Sequence, residues 1–323
     1  MRQLSRRGFL SVAGAAGLLA AAACASEQPP EKASDGGAPV TIPHLFGETT
    51  VPAPPKRVVS AGYTGQDYLL ALGVVPIAVT DWFGGQPFAV WPWAQPKLGD
   101  AKPVVLNLDN GIQVDKIAGL KPDLIVAANA GVDADTYQKL TAIAPTVPQS
   151  GGDAFFEPWK DQAAAIGQAV FQADQMKSLV DGVEKRFADV AGAHPAFKDK
   201  KVLLLQGQLQ GDTVVAVTGW STTFLTQMGL LIADSIKQFA AGQRAAIPRD
   251  QLKGVLSGAE VLIWTIDNDD DKTALLADPD IAAVQDRSIF TSKEQAGAIA
   301  FGSPLSYPLV ADQLPPLLAK ILG

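Results

Sequence analysis

Two stretches of this 323-residue chain place the same residue types in the same order. Residues 112–126 read Ile-Gln-Val-Asp-Lys-Ile-Ala-Gly-Leu-Lys-Pro-Asp-Leu-Ile-Val, and residues 247–264 read Ile-Pro-Arg-Asp-Gln-Leu-Lys-Gly-Val-Leu-Ser-Gly-Ala-Glu-Val-Leu-Ile-Trp. Each predicts a loop, an Asp (Asp115, Asp250), a short helix, a turn and an apolar strand whose end opens into a cleft. An offset of about 135 residues is far beyond the roughly 20–50-residue period of a solenoid. The echo therefore predicts two similar α/β lobes in one chain. Two facing lobes make a ligand cleft, and two matching acids at helix starts make a symmetric docking surface.

The length suits two domains of about 100–200 residues each. The first 24 residues stand apart. Arg6 and Arg7 sit in Ser-Arg-Arg-Gly-Phe-Leu, an uncharged Ala/Gly/Leu run extends from Val12 to Ala23, and Cys24 follows. A basic start, an apolar stretch and small residues predict an export leader, and the arginine pair points to the twin-arginine route. A membrane-spanning helix is the other reading, but it calls for about 20 apolar residues, more than this run supplies. Cys24 is the one cysteine of the chain, so an internal disulfide and a thiolate metal cluster are both excluded. Its place after Ala21-Ala22-Ala23 resembles a bacterial lipobox, and acylation there would anchor the chain to the outer face of the cytoplasmic membrane without a spanning helix. Residues 25–39 lack apolar bulk and read as a flexible tether.

The formal charge is −7; the first 24 residues hold three arginines and no acid, so the remainder carries −10. An acidic exported chain without a basic run is a poor nucleic-acid binder. Along the mature chain, short apolar runs at Val58–Ser60, Val74–Val79, Leu124–Ala128 and Thr146–Pro148 predict a parallel α/β lobe over 40–156, with a helix from Gln66 to Leu72 ending at Gly73. Apolar positions at helical spacing predict one uninterrupted helix over 157–191, about 45–50 Å long, bridging the lobes as a segment 157–192. Strands at Val202–Leu205, Val214–Val217, Val261–Ile266 and Ile289–Thr291 and a helix over Tyr307–Leu322 form a second α/β lobe, 193–323.

At Pro55-Lys56-Arg57-Val58-Val59-Ser60, Leu72-Gly73-Val74, Leu120-Lys121-Pro122-Asp123-Leu124-Ile125 and Ser303-Pro304-Leu305-Ser306-Tyr307, the chain resembles the iron–siderophore and cobalamin binding proteins of bacterial ABC importers, in particular the FecB-like iron-transport lipoproteins of mycobacteria. The resemblance spans residues 40–323. It implies two Rossmann-like lobes bridged by a single long α-helix, with the ligand between them and no catalytic activity. It also implies that one carboxylate per lobe meets arginines of a permease, served by its ATPase; by motif position these are Asp115 and Asp250. The family often has Glu at these places. A second reading of both residues is that they are acids favoured by the helix dipole, worth about 0.3–1 kcal/mol each.

Ligands of doubly wound sheets sit beyond the carboxyl ends of the strands. The loops there offer Tyr63, Trp82, Asn129, Gln206, Gln208, Trp220 and Arg244, and Trp264 ends a strand where core and cleft wall are equally good readings. Trp91 and Trp93, between prolines, are expected to rim the cleft. Aromatic walls suit a bulky, partly apolar ligand. Residues 25–323 contain five arginines, of which Arg244 falls in a loop facing the cleft. A highly anionic catecholate chelate calls for several converging cations, so this scarcity favours a ligand of low net charge, a ferric hydroxamate or mycobactin-type siderophore. Haem competes, because aromatics sandwich its ring and Tyr63 could ligate iron. His44 and His194 are expected to be structural, and Trp159 likewise.

An exported enzyme is the alternative of another class. The two histidines are far apart, and the chain shows no Gly-x-Ser-x-Gly elbow and no Gly-x-Gly-x-x-Gly after the first strand. The acidic run Asp267 to Asp271 lacks the glycine and distal glutamate of a calcium loop and reads as a solvated turn. No intrinsic cofactor or metal site is expected, and the chain reads as a monomer. An adhesion or signalling receptor without transport remains open on the residues alone.

Overall fold

The computed structural model describes residues 38–323. The expected export leader, Cys24 and the tether up to residue 37 lie outside the described residues. A hairpin of β1 (Val40–His44) and β2 (Gly47–Val51) opens the described chain. β3 (Val58–Ser60), α1 (Gly65–Ala71), β4 (Ala78–Thr80), β5 (Val104–Leu106), α2 (Val114–Leu120), β6 (Leu124–Ala127), α3 (Ala134–Thr141) and β7 (Thr146–Pro148) follow. The last five strands pair in parallel in the order β5-β4-β3-β6-β7. All residues of β3, β4, β6 and β7 are buried, as strands covered on both faces require. The strand order reverses at β3, so the crevice beyond its carboxyl end lies at a topological switch point.

Two helices lead out of this lobe, α4 (Trp159–Ala169) and the 21-residue α5 (Ala173–Ala193). The long helix is therefore present, but the uninterrupted helix expected over 157–191 is corrected. Phe171 takes the left-handed conformation at φ 61°, and the Gln172 amide turns back to the Gly167 carbonyl at 2.8 Å. That 6→1 closure ends α4 as a glycine would ordinarily end it. Gly167 makes the break possible, because a Cβ there would lie 2.7 Å from the Met176 Cβ.

The second lobe runs through β8 (Lys201–Gln206), β9 (Thr213–Val217), α6 (Thr223–Gln227), β10 (Leu231–Ile232), β11 (Ala240–Ala241), β12 (Arg244–Pro248), α7 (Arg249–Ser257), β13 (Val261–Thr265), α8 (Asp269–Leu276), α9 (Pro279–Ala282), β14 (Ser288–Phe290), α10 (Lys293–Phe301) and α11 (Tyr307–Leu322). β8, β13 and β14 pair in parallel as β3, β6 and β7 do, whereas β9 and β12 run antiparallel. The lobes share a half-sheet and differ in the rest. The acidic run is also corrected: Asp269 to Asp271 form the first turn of α8, with the Asn268 side chain capping it at the Asp271 amide.

The sequence echo has a counterpart in hydrogen bonds. In the first lobe the Asp123 carboxylate, just before β6, accepts from the amides of Lys56 (2.8 Å) and Arg57 (2.7 Å) at the start of β3. The Arg57 guanidinium donates back to the carbonyls of Lys121 (2.9 Å) and Leu120 (2.6 Å). In the second lobe Glu260, just before β13, accepts from the Lys201 amide (2.8 Å) and the Lys200 ammonium (2.8 Å) at the start of β8. Arg287 there donates to the Ala259 carbonyl. At the opposite strand ends, Gly62 and Gly207 occupy matching places. A Cβ on Gly62 would lie 1.8 Å from the Ala128 carbonyl oxygen, and one on Gly207 would lie 2.4 Å from that of Thr265.

Behind the cleft the lobes are not separated by solvent. A single hydrophobic cluster contains Ile42 and Leu124 of the first lobe, Ile166 and Phe187 of α4 and α5, Leu204 and Ile263 of the second sheet, and Leu318 of α11. The outer faces of the two sheets have their own cores, around Ile117 and Ile125 in one and Leu203 and Trp264 in the other. No described helix is long and apolar enough to cross a membrane.

Candidate functional site

The carboxyl ends of both sheets, the loop 150–157 and the face of α10 enclose a cavity with about 920 Å³ of empty space, its open mouth included. Its base is apolar, with Trp159 set edge-on to Tyr307 at 5.2 Å and Leu204 from β8. Trp159, expected to be structural, thus belongs to the core and floors the cavity as well.

Trp82 is the centre of the aromatic wall. Tyr63 stacks on it at 5.2 Å, Phe156 lies 5.4 Å away, Phe301 of α10 5.6 Å and Phe83 4.7 Å. Phe155 stacks on the far side of Tyr63 at 5.8 Å and carries the wall out to the mouth. Phe156 holds a left-handed backbone at φ 62°, a strained setting for a bulky side chain that clusters at functional sites. Two groups of the second lobe secure it: the Trp220 indole donates to the Phe156 carbonyl at 2.6 Å, and the Arg244 guanidinium lies over its ring at 5.7 Å.

The polar wall is largely self-satisfied. Asn129 and Gln162 both donate to the Thr64 hydroxyl at 2.9 Å, and the Asn129 carbonyl accepts from the Glu157 amide at 3.1 Å. Gln206 accepts from Gln210 at 3.0 Å. Among the described residues, Glu157 and Arg244 are the charged side chains lining the cavity. Glu157 is 6% exposed. Its Oε2 accepts from the Ser150 amide (2.7 Å) and hydroxyl (2.6 Å), while Oε1 has no partner among the described residues. Burial pushes the Glu157 carboxyl up from its usual range, against the pull of the Ser150 hydrogen bonds. Burial, with the Asp109 carboxylate second, also pushes the Tyr63 phenol up.

Of the residues singled out in the sequence, Trp82, Asn129, Gln206, Trp220 and Arg244 line this cavity, and Tyr63 lines its mouth. Gln208 is exposed and stands apart. Trp91, Trp93 and Trp264 do not line it. Trp91 is 1% exposed, stacks on Trp93 at 5.0 Å and presses against Gly297 of α10; the half-buried Trp93 donates to Asp67 at 2.8 Å. The proline-flanked loop folds inward to seal α1 against α10, so the expected rim is a seam between the lobes. Trp264 is fully buried and donates to Ser288 at 3.3 Å. Strand alternation presents its neighbour Thr265 to the cavity instead. Glu157, Phe156 and Phe301 escaped sequence reasoning; the run Phe155-Phe156-Glu157-Pro158-Trp159 was the available signal.

The acids of the echo, Asp115 and Asp250, are exposed in the first turns of α2 and α7, away from the cavity lining. His44 is held by Thr49 (3.0 Å) and Tyr137 (3.1 Å), and His194 stacks on Phe197 at 4.7 Å. No group of three potential metal ligands occurs among the described residues.

Two α/β lobes on a shared helical back, with an aromatic cavity between their strand ends, define a solute-binding protein. Residues 58–296 match the periplasmic binding protein family, and the chain belongs to it. A periplasmic solute binding protein of Mycobacterium smegmatis, solved by crystallography, is 62% identical with a TM-score of 0.84, covering 88% of this chain and 99% of that one. The probable siderophore-binding lipoprotein YfiY of Bacillus subtilis is 36% identical over 153 residues, 46% of this chain and 44% of the relative. The chain spans about half the length of the curated relatives it matches. PiaA of Streptococcus pneumoniae, solved in complex with ferrichrome, shares the fold at 22% identity and a TM-score of 0.73, covering 88% of this chain and 98% of that one.

Proposed function

We propose that this protein captures a ferric siderophore of low net charge, a hydroxamate or mycobactin-type chelate, outside the cytoplasmic membrane and hands it to an ABC importer. The carrying observation is the charge of the cavity: one guanidinium and one buried carboxyl amid Trp82, Phe156, Trp220 and Phe301. A triply anionic catecholate would meet one cation here, whereas chelates of that charge call for several converging donors. A near-neutral chelate instead buries apolar surface against the aromatic wall at roughly 25 cal/mol per Å². In this reading the protein binds and releases its ligand unchanged, as a monomer anchored through Cys24, and Asp115 and Asp250 present one carboxylate per lobe to the permease.

Haem is the competing ligand. Tyr63, stacked on Trp82 at the mouth, is the phenol that would ligate its iron. Titration of the tryptophan fluorescence with ferrichrome, a ferric mycobactin-type chelate, ferric citrate and haemin separates the cases. Saturable quenching by the first two supports the proposal. Quenching by haemin alone would move the assignment to haem uptake, and tighter binding of ferric citrate would overturn the charge argument.

A further inference from the structure

We infer that Glu157 is the specificity-determining residue of the cleft and that the ligand is a ferric chelate carrying a pendant protonated amine. The inference rests on the ferric-chelate reading and narrows it. The reason lies in which wall groups remain free. Asn129 and Gln162 spend their amides on Thr64, Gln206 accepts from Gln210, and the Thr265 hydroxyl donates to the Leu205 carbonyl at 3.2 Å. Gln206 and Gln243 keep amide donors facing the same lining, so the acceptor side is the discriminating one, and the charged groups there are two. Arg244 has its guanidinium on the Phe156 ring and no ion-pair partner among the described residues. Glu157 keeps one carboxylate oxygen unpartnered.

A buried carboxylate oxygen without a donor is costly, and such orphans in a folded protein call for an explanation. Glu157 is not otherwise idle. Its second oxygen is fixed by both donors of Ser150 and its amide by Asn129, so the carboxylate is oriented before any ligand arrives. Pre-oriented acceptors are how a site reads a donor, because no reorganisation is needed on binding. A neutral hydroxyl would satisfy Oε1, but an ammonium also restores the ionised form that burial disfavours. The cavity thus offers a donor at Arg244 for the oxygens around iron and an acceptor at Glu157 for a cationic tail. Chelates with uniformly acidic peripheries are rejected by the same carboxylate.

Ferrioxamine B and its N-acetyl derivative form a matched pair, identical around iron and differing in one terminal ammonium. Fluorescence titration of the wild-type protein is expected to favour the amine by about tenfold or more, the size of a charge-assisted hydrogen bond. Glu157→Gln, which keeps an acceptor for Ser150, is expected to abolish that preference. Asp153→Asn, at the exposed carboxylate of the mouth, is expected to retain it. Equal binding of the pair by the wild type overturns the inference without needing any variant to fold, as does loss of preference in Asp153→Asn alone. Binding of neither chelate overturns the ferric-hydroxamate reading beneath it.

Discussion

Asp67 sits in the first turn of α1 with no exposed surface. Its Oδ2 accepts from the Ser303 hydroxyl (2.6 Å) and the Trp93 indole (2.8 Å), while Oδ1 has no partner among the described residues. Burial outweighs those two hydrogen bonds and pushes the carboxyl from 3.8 up to about 6. A group whose pKa rises on folding binds its proton more tightly in the native state. The stability it confers is therefore complete below 3.8 and is lost as the pH rises through about 6. A shift of about two units at 1.36 kcal/mol each amounts to about 3 kcal/mol. Asp67→Asn keeps an oxygen for both donors and cannot ionise. Urea denaturation from about pH 4 to about pH 8 should show the wild type losing about 3 kcal/mol more than the variant across that interval. The comparison of slopes is insensitive to any constant penalty from the buried amide. Parallel stability profiles for the two proteins would refute the reasoning, because they would mean that Asp67 titrates alike folded and unfolded.

Other substitutions separate wall from core and cleft from docking surface. Trp264→Ala should cost about 3–5 kcal/mol of stability and leave the affinity of the folded protein unchanged, whereas Trp82→Ala should weaken chelate binding about tenfold; calorimetry beside fluorescence titration would expose the reverse pattern. Reversing charge at both Asp115 and Asp250 should abolish uptake in cells at unchanged affinity, and normal uptake would leave the two acids as helix-dipole partners only. The core continuous behind the cleft predicts closure by a few degrees, which small-angle scattering would contradict by a substantial fall in the radius of gyration on chelate addition.

The half-sheet common to both lobes was legible because it is written in local signals. Lys121-Pro122-Asp123 and Ser257-Gly258-Ala259-Glu260 stop one helix and start a strand, and the carboxylates then clamp the neighbouring strand. The antiparallel β9 and β12 were not legible as such, since a short apolar run carries no sign of its direction. The break at Phe171 left no trace in the apolar spacing, because Ala169 and Met176 keep the same helical face across it. Trp82 was placed in the cavity lining by its position after a strand, Trp220 by its position before a helix, and Arg244 by an expected loop that the structure replaces with the first residue of β12. Trp91 and Trp264 were misplaced because tryptophan serves core and cleft alike, and β13 is buried on both faces, so no alternation marks which side Trp264 takes. Glu157 was missed because its aromatic-flanked run marks the segment but not the burial of its carboxylate.

The paired clamps also bear on the order of events in folding. Each joins strand starts distant in sequence, 66–67 residues apart in the first lobe and 59–60 in the second. The entropy of closing those loops differs by roughly 0.1 kcal/mol, so chain topology gives neither lobe a head start. Both must close long loops before the core cluster that spans them can consolidate. Closing the two clamps therefore sets no order between the lobes.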